Sequence, residues 1–127
     1  MISFRMQVIL SPVIFAGLAG MSVNAHAYVA DNHTWNLTCN KSGYQLKSRD
    51  RVSRLTGMGA ATSLSDKVET LYLGKSCDAS HTVLGKGKWC WANGGFRAEF
   101  ADEQVIGFTR QELSCPDQQF EFDGCGC

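Results

Sequence analysis

This sequence predicts an all-β fold, a small antiparallel β-barrel or sandwich stapled by disulfides, and three observations carry that expectation. Short runs of alternating apolar and polar residues recur along the chain with Gly, Asn, Asp and Ser clusters between them, the spacing of strands and turns in such folds. No stretch beyond residue 27 sustains apolar positions at helical intervals. All six cysteines fall between residues 39 and 127, and an even cysteine count in a small exported chain marks a disulfide framework.

Residues 1–27 stand apart from the fold. Arg5 supplies a positive start, residues 8–19 are mostly apolar, and Ala25-His26-Ala27 is a small-x-small cleavage site, which together read as a secretory signal peptide. Ser11, Pro12, Gly17 and Gly20 interrupt the apolar run, which is short for a spanning helix. No cysteine sits at the cleavage site to take a lipid. Tyr28 is therefore the expected mature N-terminus, and residues 28–127 a single β domain with a flexible C-terminal tail. The product is expected to be periplasmic or secreted, with no stable membrane insertion after cleavage. The whole chain has 12 Lys and Arg against 12 Asp and Glu, and no basic surplus that would suggest a nucleic acid partner. Basic residues concentrate between residues 41 and 97 and acidic ones beyond, an asymmetry that mostly reflects a solvated face.

Residues 28–33 are polar and read as a loose terminus. Trp35, Leu37 and Cys39 alternate with Asn36 and Thr38 as a first strand, and Asn40, Ser42 and Gly43 favour the turn that ends it. Tyr44 and Leu46 alternate with Gln45 and Lys47 in a second strand that leads into a basic cluster, Lys47, Arg49, Arg51 and Arg54. Asp50 interrupts that cluster, and no aromatic is interleaved for stacking on bases. Gly57 and Gly59 make residues 56–65 a loop, with a short helical turn expected over residues 65–68. Residues 68–73 are β-branched and apolar enough for a central strand. Residues 74–84 read as a loop carrying Cys77 and His81, the histidine as a surface polar residue because no nucleophile or metal spacing accompanies it.

The strongest local signal is the hairpin over residues 88–100. Asn93-Gly94 separates two alternating runs, and these two residues tolerate the positive φ that a type I′ turn requires. Trp89 and Trp91 share one face with Phe96, Ala98 and Phe100, while Lys88, Cys90, Arg97 and Glu99 share the other. Residues 101–103 turn the chain again, and residues 104–110 form the next strand with Ile106 and Phe108 inward. Residues 112–115 close the meander before Pro116, which a central strand does not accommodate. Phe120 and Phe122 precede the Gly-Cys-Gly-Cys end.

No hydrolase elbow, phosphate loop or zinc spacing occurs, and Asp102 and Glu103 sit at a turn tip. The chain is accordingly expected not to be an enzyme and to use no cofactor and no metal. Cys125-Gly126-Cys127 reads as disulfide chemistry rather than a metal or redox site.

Several pieces resemble the periplasmic inhibitors of C-type lysozyme, small β-barrels that plug the sugar-cleaving cleft of a muramidase. That family's opening strand and Gly turn look like Trp35-Asn36-Leu37-Thr38-Cys39 and Gly43, its late hairpin like Trp91 and Gly95-Phe96-Arg97-Ala98-Glu99-Phe100, and its final strand ends in a Cys that corresponds to Cys115. The family's inhibitory Ser-Gly-x-basic-Tyr loop is similar to Gly85-Lys86-Gly87-Lys88-Trp89, where Lys88 and Trp89 take the basic and aromatic places and the Ser is absent. Cys77, Cys90, Cys125 and Cys127 lie outside the pattern. The resemblance implies a proteinaceous inhibitor of a lysozyme-like muramidase, the cell's own or a host's, with Gly85, Lys86, Gly87, Lys88, Trp89, Asn93 and Arg97 facing the partner. Muramidases cleave with carboxylic acids, which a cationic loop would oppose. The alternative is a non-enzymatic envelope module, structural or carbohydrate-binding, in which exposed Trp89, Trp91 and Phe96 stack on sugars. For the staples, Cys39 is expected to pair with Cys115 and Cys77 with Cys90. Cys125 and Cys127 would pair with each other or with a second chain, the latter giving a disulfide-linked dimer.

Overall fold

The computed structural model describes residues 27–115 and 124–127. Ten strands follow in order: β1 (Ala27–Ala30), β2 (His33–Asn40), β3 (Gly43–Ser48), β4 (Val52–Thr56), β5 (Ser63–Lys67), β6 (Thr70–Gly74), β7 (Asp78–His81), β8 (Gly85–Ala92), β9 (Gly95–Phe100) and β10 (Val105–Phe108). Eight form one sheet in the order β1-β2-β3-β6-β7-β8-β9-β10, and β4 pairs only with β5 as a separate hairpin. Every pairing is antiparallel. The sheet curls until its two edge strands approach one another, so the predicted disulfide-stapled all-β class takes the form of a nearly closed barrel.

The period of two decides what lies inside. Trp35, Leu46, Leu71, Leu73, Trp89, Ala98, Phe96, Ile106 and Phe108 are buried within the barrel, with Phe96 and Phe108 stacked at 4.5 Å between ring centroids. Cutting any of these rings back to alanine should cost about 3–5 kcal/mol. The predicted tip of the central hairpin has φ of 55° at Asn93 and 71° at Gly94, and the register sets Trp91 opposite Phe96 and Trp89 opposite Ala98.

The barrel seam is joined largely by side chains. Tyr28 Oη donates to the Glu112 carbonyl at 2.7 Å and accepts from the Ser114 N–H at 3.2 Å. The Gln111 amide accepts from the Val29 N–H at 2.7 Å and donates to the Val29 carbonyl at 2.8 Å. One side chain thus meets both backbone groups of an edge residue as a neighbouring strand would.

Three expectations change here. Residues 28–33 are not a loose terminus, because Asp31 and Asn32 turn at positive φ and fold β1 back so that Tyr28 pairs with Trp35 and is buried. The helical turn expected at residues 65–68 is replaced by β5, held by pairing such as Leu55 opposite Leu64. The loop expected over residues 74–84 contains β7, since Cys77 at φ 64° reverses the chain and sets Ala79 opposite Leu73. Residues 112–115 close the barrel without forming a strand. The leader reading for residues 1–26, and Phe120 and Phe122, lie outside the described residues.

Candidate functional site

Of the residues expected to face a partner, Lys86, Lys88 and Arg97 lie on the outer surface of β8 and β9, whereas Trp89 is buried in the core and Asn93 sits at the hairpin tip. Residues 85–89 are the first five of β8, a strand enclosed between β7 and β9. Lys86 and Lys88 are exposed on one face. Lys86 stands opposite Ser80, whereas Lys88 stands between Asp78 on β7 and Glu99 on β9. Arg97 Nη2 meets Glu99 Oε1 at 2.9 Å on the same face. A groove of about 540 Å³ runs here, lined by Asp78, Lys88, Arg97, Glu99 and two disulfides. Lys88 and Arg97 are therefore in carboxylate company, and Lys86 is the cation with no acid across from it.

The two glycines serve the fold. Gly85 turns the β7–β8 connection at φ 79°. A Cβ on Gly87 would collide with the Glu99 carbonyl and the Phe100 ring, so close packing of β9 accounts for that glycine. Trp89 is 1% exposed and its indole N–H donates to the Gly74 carbonyl at 2.8 Å. Asn93 lies at the other end of β8, about 25 Å away at strand rise, so the structure brings Gly87, Lys88, Trp89 and Arg97 together but separates Asn93 from Gly85.

A second cluster escaped the reading by motif. Glu69, wholly buried, receives Arg54 Nε and Nη2 on its two oxygens, each at 2.8 Å, and His81 Nε2 at 3.0 Å. The N–H groups of Val83 and Leu84 donate to His81 Nδ1 at 3.1 and 3.0 Å, which assigns the ring proton to Nε2 and makes His81 the donor to Glu69. Burial pushes the Glu69 carboxyl up, but the hydrogen bonds from Arg54 and His81, with the guanidinium charge beside it, outweigh burial and hold the group at about 2. The same carboxylate raises the Arg54 guanidinium. His81 is thus buried and not the surface residue expected, packed between the rings of Trp35 and Phe100. The Glu69 and His81 side chains are sealed from solvent, and Arg54 reaches outward to lie 3.9 Å from exposed Asp31. The cluster ties the β4–β5 hairpin, through Arg54, to the barrel wall. The available signal was parity: Glu69 alternates with Leu71 and Leu73, so a strand there points an acid inward, and an inward acid needs a cation.

The disulfides are Cys39–Cys115, Cys77–Cys125 and Cys90–Cys127, with Cα separations of 6.0, 5.4 and 5.2 Å. The first is as expected. The Cys77–Cys90 pairing is not formed, because Cys77 sits across from Trp89, whose N–H donates to its carbonyl at 3.0 Å; Cys90 is one residue out of register. Cys125 and Cys127 take these two partners instead of one another, and no cysteine is free to link a second chain. Between them, Gly126 bridges Trp91 in parallel, and the Trp91 N–H donates to the Cys125 carbonyl. Residues 124–127 are therefore fastened along the part of β8 that β7 does not reach, whatever the expectation of a flexible tail. Three disulfides are consistent with an extracellular or periplasmic protein, and no helix among the described residues is long and apolar enough to cross a membrane.

No protein-family model matches the chain, and neither a curated protein nor a solved structure matches it.

Proposed function

We propose that this is a periplasmic or secreted protein that binds and inhibits a lysozyme-like muramidase through the outer face of β8, without catalysing a reaction itself. The observation that carries the reading is the exposed pair Lys86 and Lys88 on one face of a rigid, disulfide-braced strand. A fixed cationic ridge suits a cleft whose chemistry depends on carboxylates. Trp89 and Phe96, at 1% exposure each, belong to the core, and Trp91 is half-buried against it, which weakens the support for an envelope module that stacks the three rings on sugars. The sealed Glu69 and His81 side chains agree with a binding rather than a hydrolytic role.

Peptidoglycan clearing by a panel of muramidases tests the proposal. Inhibition of at least one enzyme is expected, and unchanged rates across the panel at excess protein would overturn the reading. Lys86→Ala with Lys88→Ala should keep the fold, since exposed lysines rarely matter to stability, and should weaken inhibition by about tenfold or more, the equivalent of about 1.4 kcal/mol. Most of that loss is expected from Lys86→Ala alone, because Asp78 and Glu99 already face Lys88. Equal inhibition by parent and double variant would remove this face from the interface.

A further inference from the structure

The β4–β5 hairpin presents a surface that muramidase binding does not use. Leu55 and Leu64 are direct cross-strand partners, 64% and 68% exposed, and Met58 at the turn is 76% exposed. These are the most exposed large apolar side chains among the described residues. Residues 55–65 contain no charged side chain at all. At the base of the hairpin the charge changes abruptly. Lys47, Arg49, Arg51 and Lys67 stand exposed there against Asp50 and Asp66, and none of the four cations is in an ion pair among the described residues.

We propose that this hairpin docks the protein on an anionic lipid bilayer, with the apolar tip in the interfacial zone and the basic base against the headgroups. An uncharged tip enters that zone without desolvating an ion, and each nearby Lys or Arg is drawn to a negatively charged surface. Arg54, clamped to Glu69, anchors β4 to the barrel wall, so the hairpin is held in place while Leu55, Met58 and Leu64 stay exposed. Two copies packed tip to tip would set their basic bases side by side, which like charges oppose. An acidic protein would complement the base and leave the apolar tip without a role. The attachment is peripheral and rests on the hairpin alone, so it is independent of any muramidase.

Co-sedimentation of the oxidised protein with vesicles tests it. Binding is expected to vesicles of phosphatidylcholine and phosphatidylglycerol at about three to one, to be weak on phosphatidylcholine alone, and to fall as salt is raised. Leu55→Ser with Leu64→Ser should weaken binding about tenfold or more with an unchanged circular dichroism spectrum. Met58→Ser, outside the strands, should weaken it in the same direction and guards against a hairpin that fails to form. Arg51→Gln with Lys67→Gln should abolish the preference for the anionic vesicles. Three results would each overturn the proposal: no binding to the anionic vesicles, binding indifferent to the apolar substitutions, or a lipid-free dimer in sedimentation that the leucine substitutions dissolve.

Discussion

Arg54→Met is expected to destabilise the protein by about 3–5 kcal/mol, the cost of removing one partner from a buried ion pair. For a domain of this size that lowers the melting temperature by about 15 °C or more. The cause is the carboxylate left behind. Glu69 is wholly enclosed and keeps only the His81 hydrogen bond once the guanidinium is gone. Adding Glu69→Leu to Arg54→Met should recover much of the loss, because an apolar pair leaves no charge to solvate. A double variant no more stable than Arg54→Met would count against the uncompensated carboxylate as the source.

Acid supplies a second reading of the same cluster. In the parent the Glu69 carboxyl lies at about 2 against an ordinary 4.5. A group depressed in the folded state contributes stability that is complete above its unfolded value, and that contribution is lost as pH falls from 4.5 towards 2. The amount is about 3 kcal/mol. In Arg54→Met burial has far less opposing it, so the folded carboxyl takes up its proton more readily and the slope on the acid side should flatten or reverse. Urea midpoints at a series of pH values between about 2 and 7 separate the two behaviours.

Removing the tail links should have an effect of comparable size. Cys77–Cys125 closes a separation of 48 residues and Cys90–Cys127 one of 37, each worth about 4 kcal/mol on the chain-entropy account. Against a typical domain stability of about 5–15 kcal/mol, Cys77→Ser with Cys125→Ser should leave a marginal fold, and the loss of both links a chain largely unfolded at physiological temperature. Release of residues 124–127 also takes the hydrogen-bond partner from the Trp91 N–H. Thermal unfolding with and without reductant gives the size of the effect, and non-reducing peptide mapping checks the pairing. A peptide joining Cys77 to Cys90 would refute the connectivity outright.

Local chemistry was legible from residue order, and distant chemistry was not. Asn93-Gly94 names its own turn, and the alternation about Trp35, Leu46, Trp89, Phe96 and Phe108 names the core, because turn geometry and the period of two are written in neighbouring residues. Tyr28 was misread because its environment is supplied by residues 111–114, far along the chain. Arg54, Glu69 and His81 form no motif in sequence and meet only after β4, β6 and β7 are in place. The disulfide partners of Cys125 and Cys127 depend on where the end of the chain crosses β8, which no local pattern encodes. The resemblance implies a loop over residues 85–89, but their glycines serve a strand, one marking the turn into β8 and the other a tight approach of β9.

The seam ties the timing of folding to the completeness of the chain. Its hydrogen bonds join residues 82, 84 and 86 positions apart, so β1 is made first and finds its seam partners only when nearly all of the rest has followed. Contacts at such separations form late, after the intervening segment has surrendered its freedom. A chain cut short before Gln111 leaves the outer edges of β1 and β10 as open ladders, ready to accept a strand from a neighbouring molecule. Only a chain that extends past Gln111 carries the amide that masks this edge, so termination before it should show itself as aggregation rather than as a smaller, working barrel.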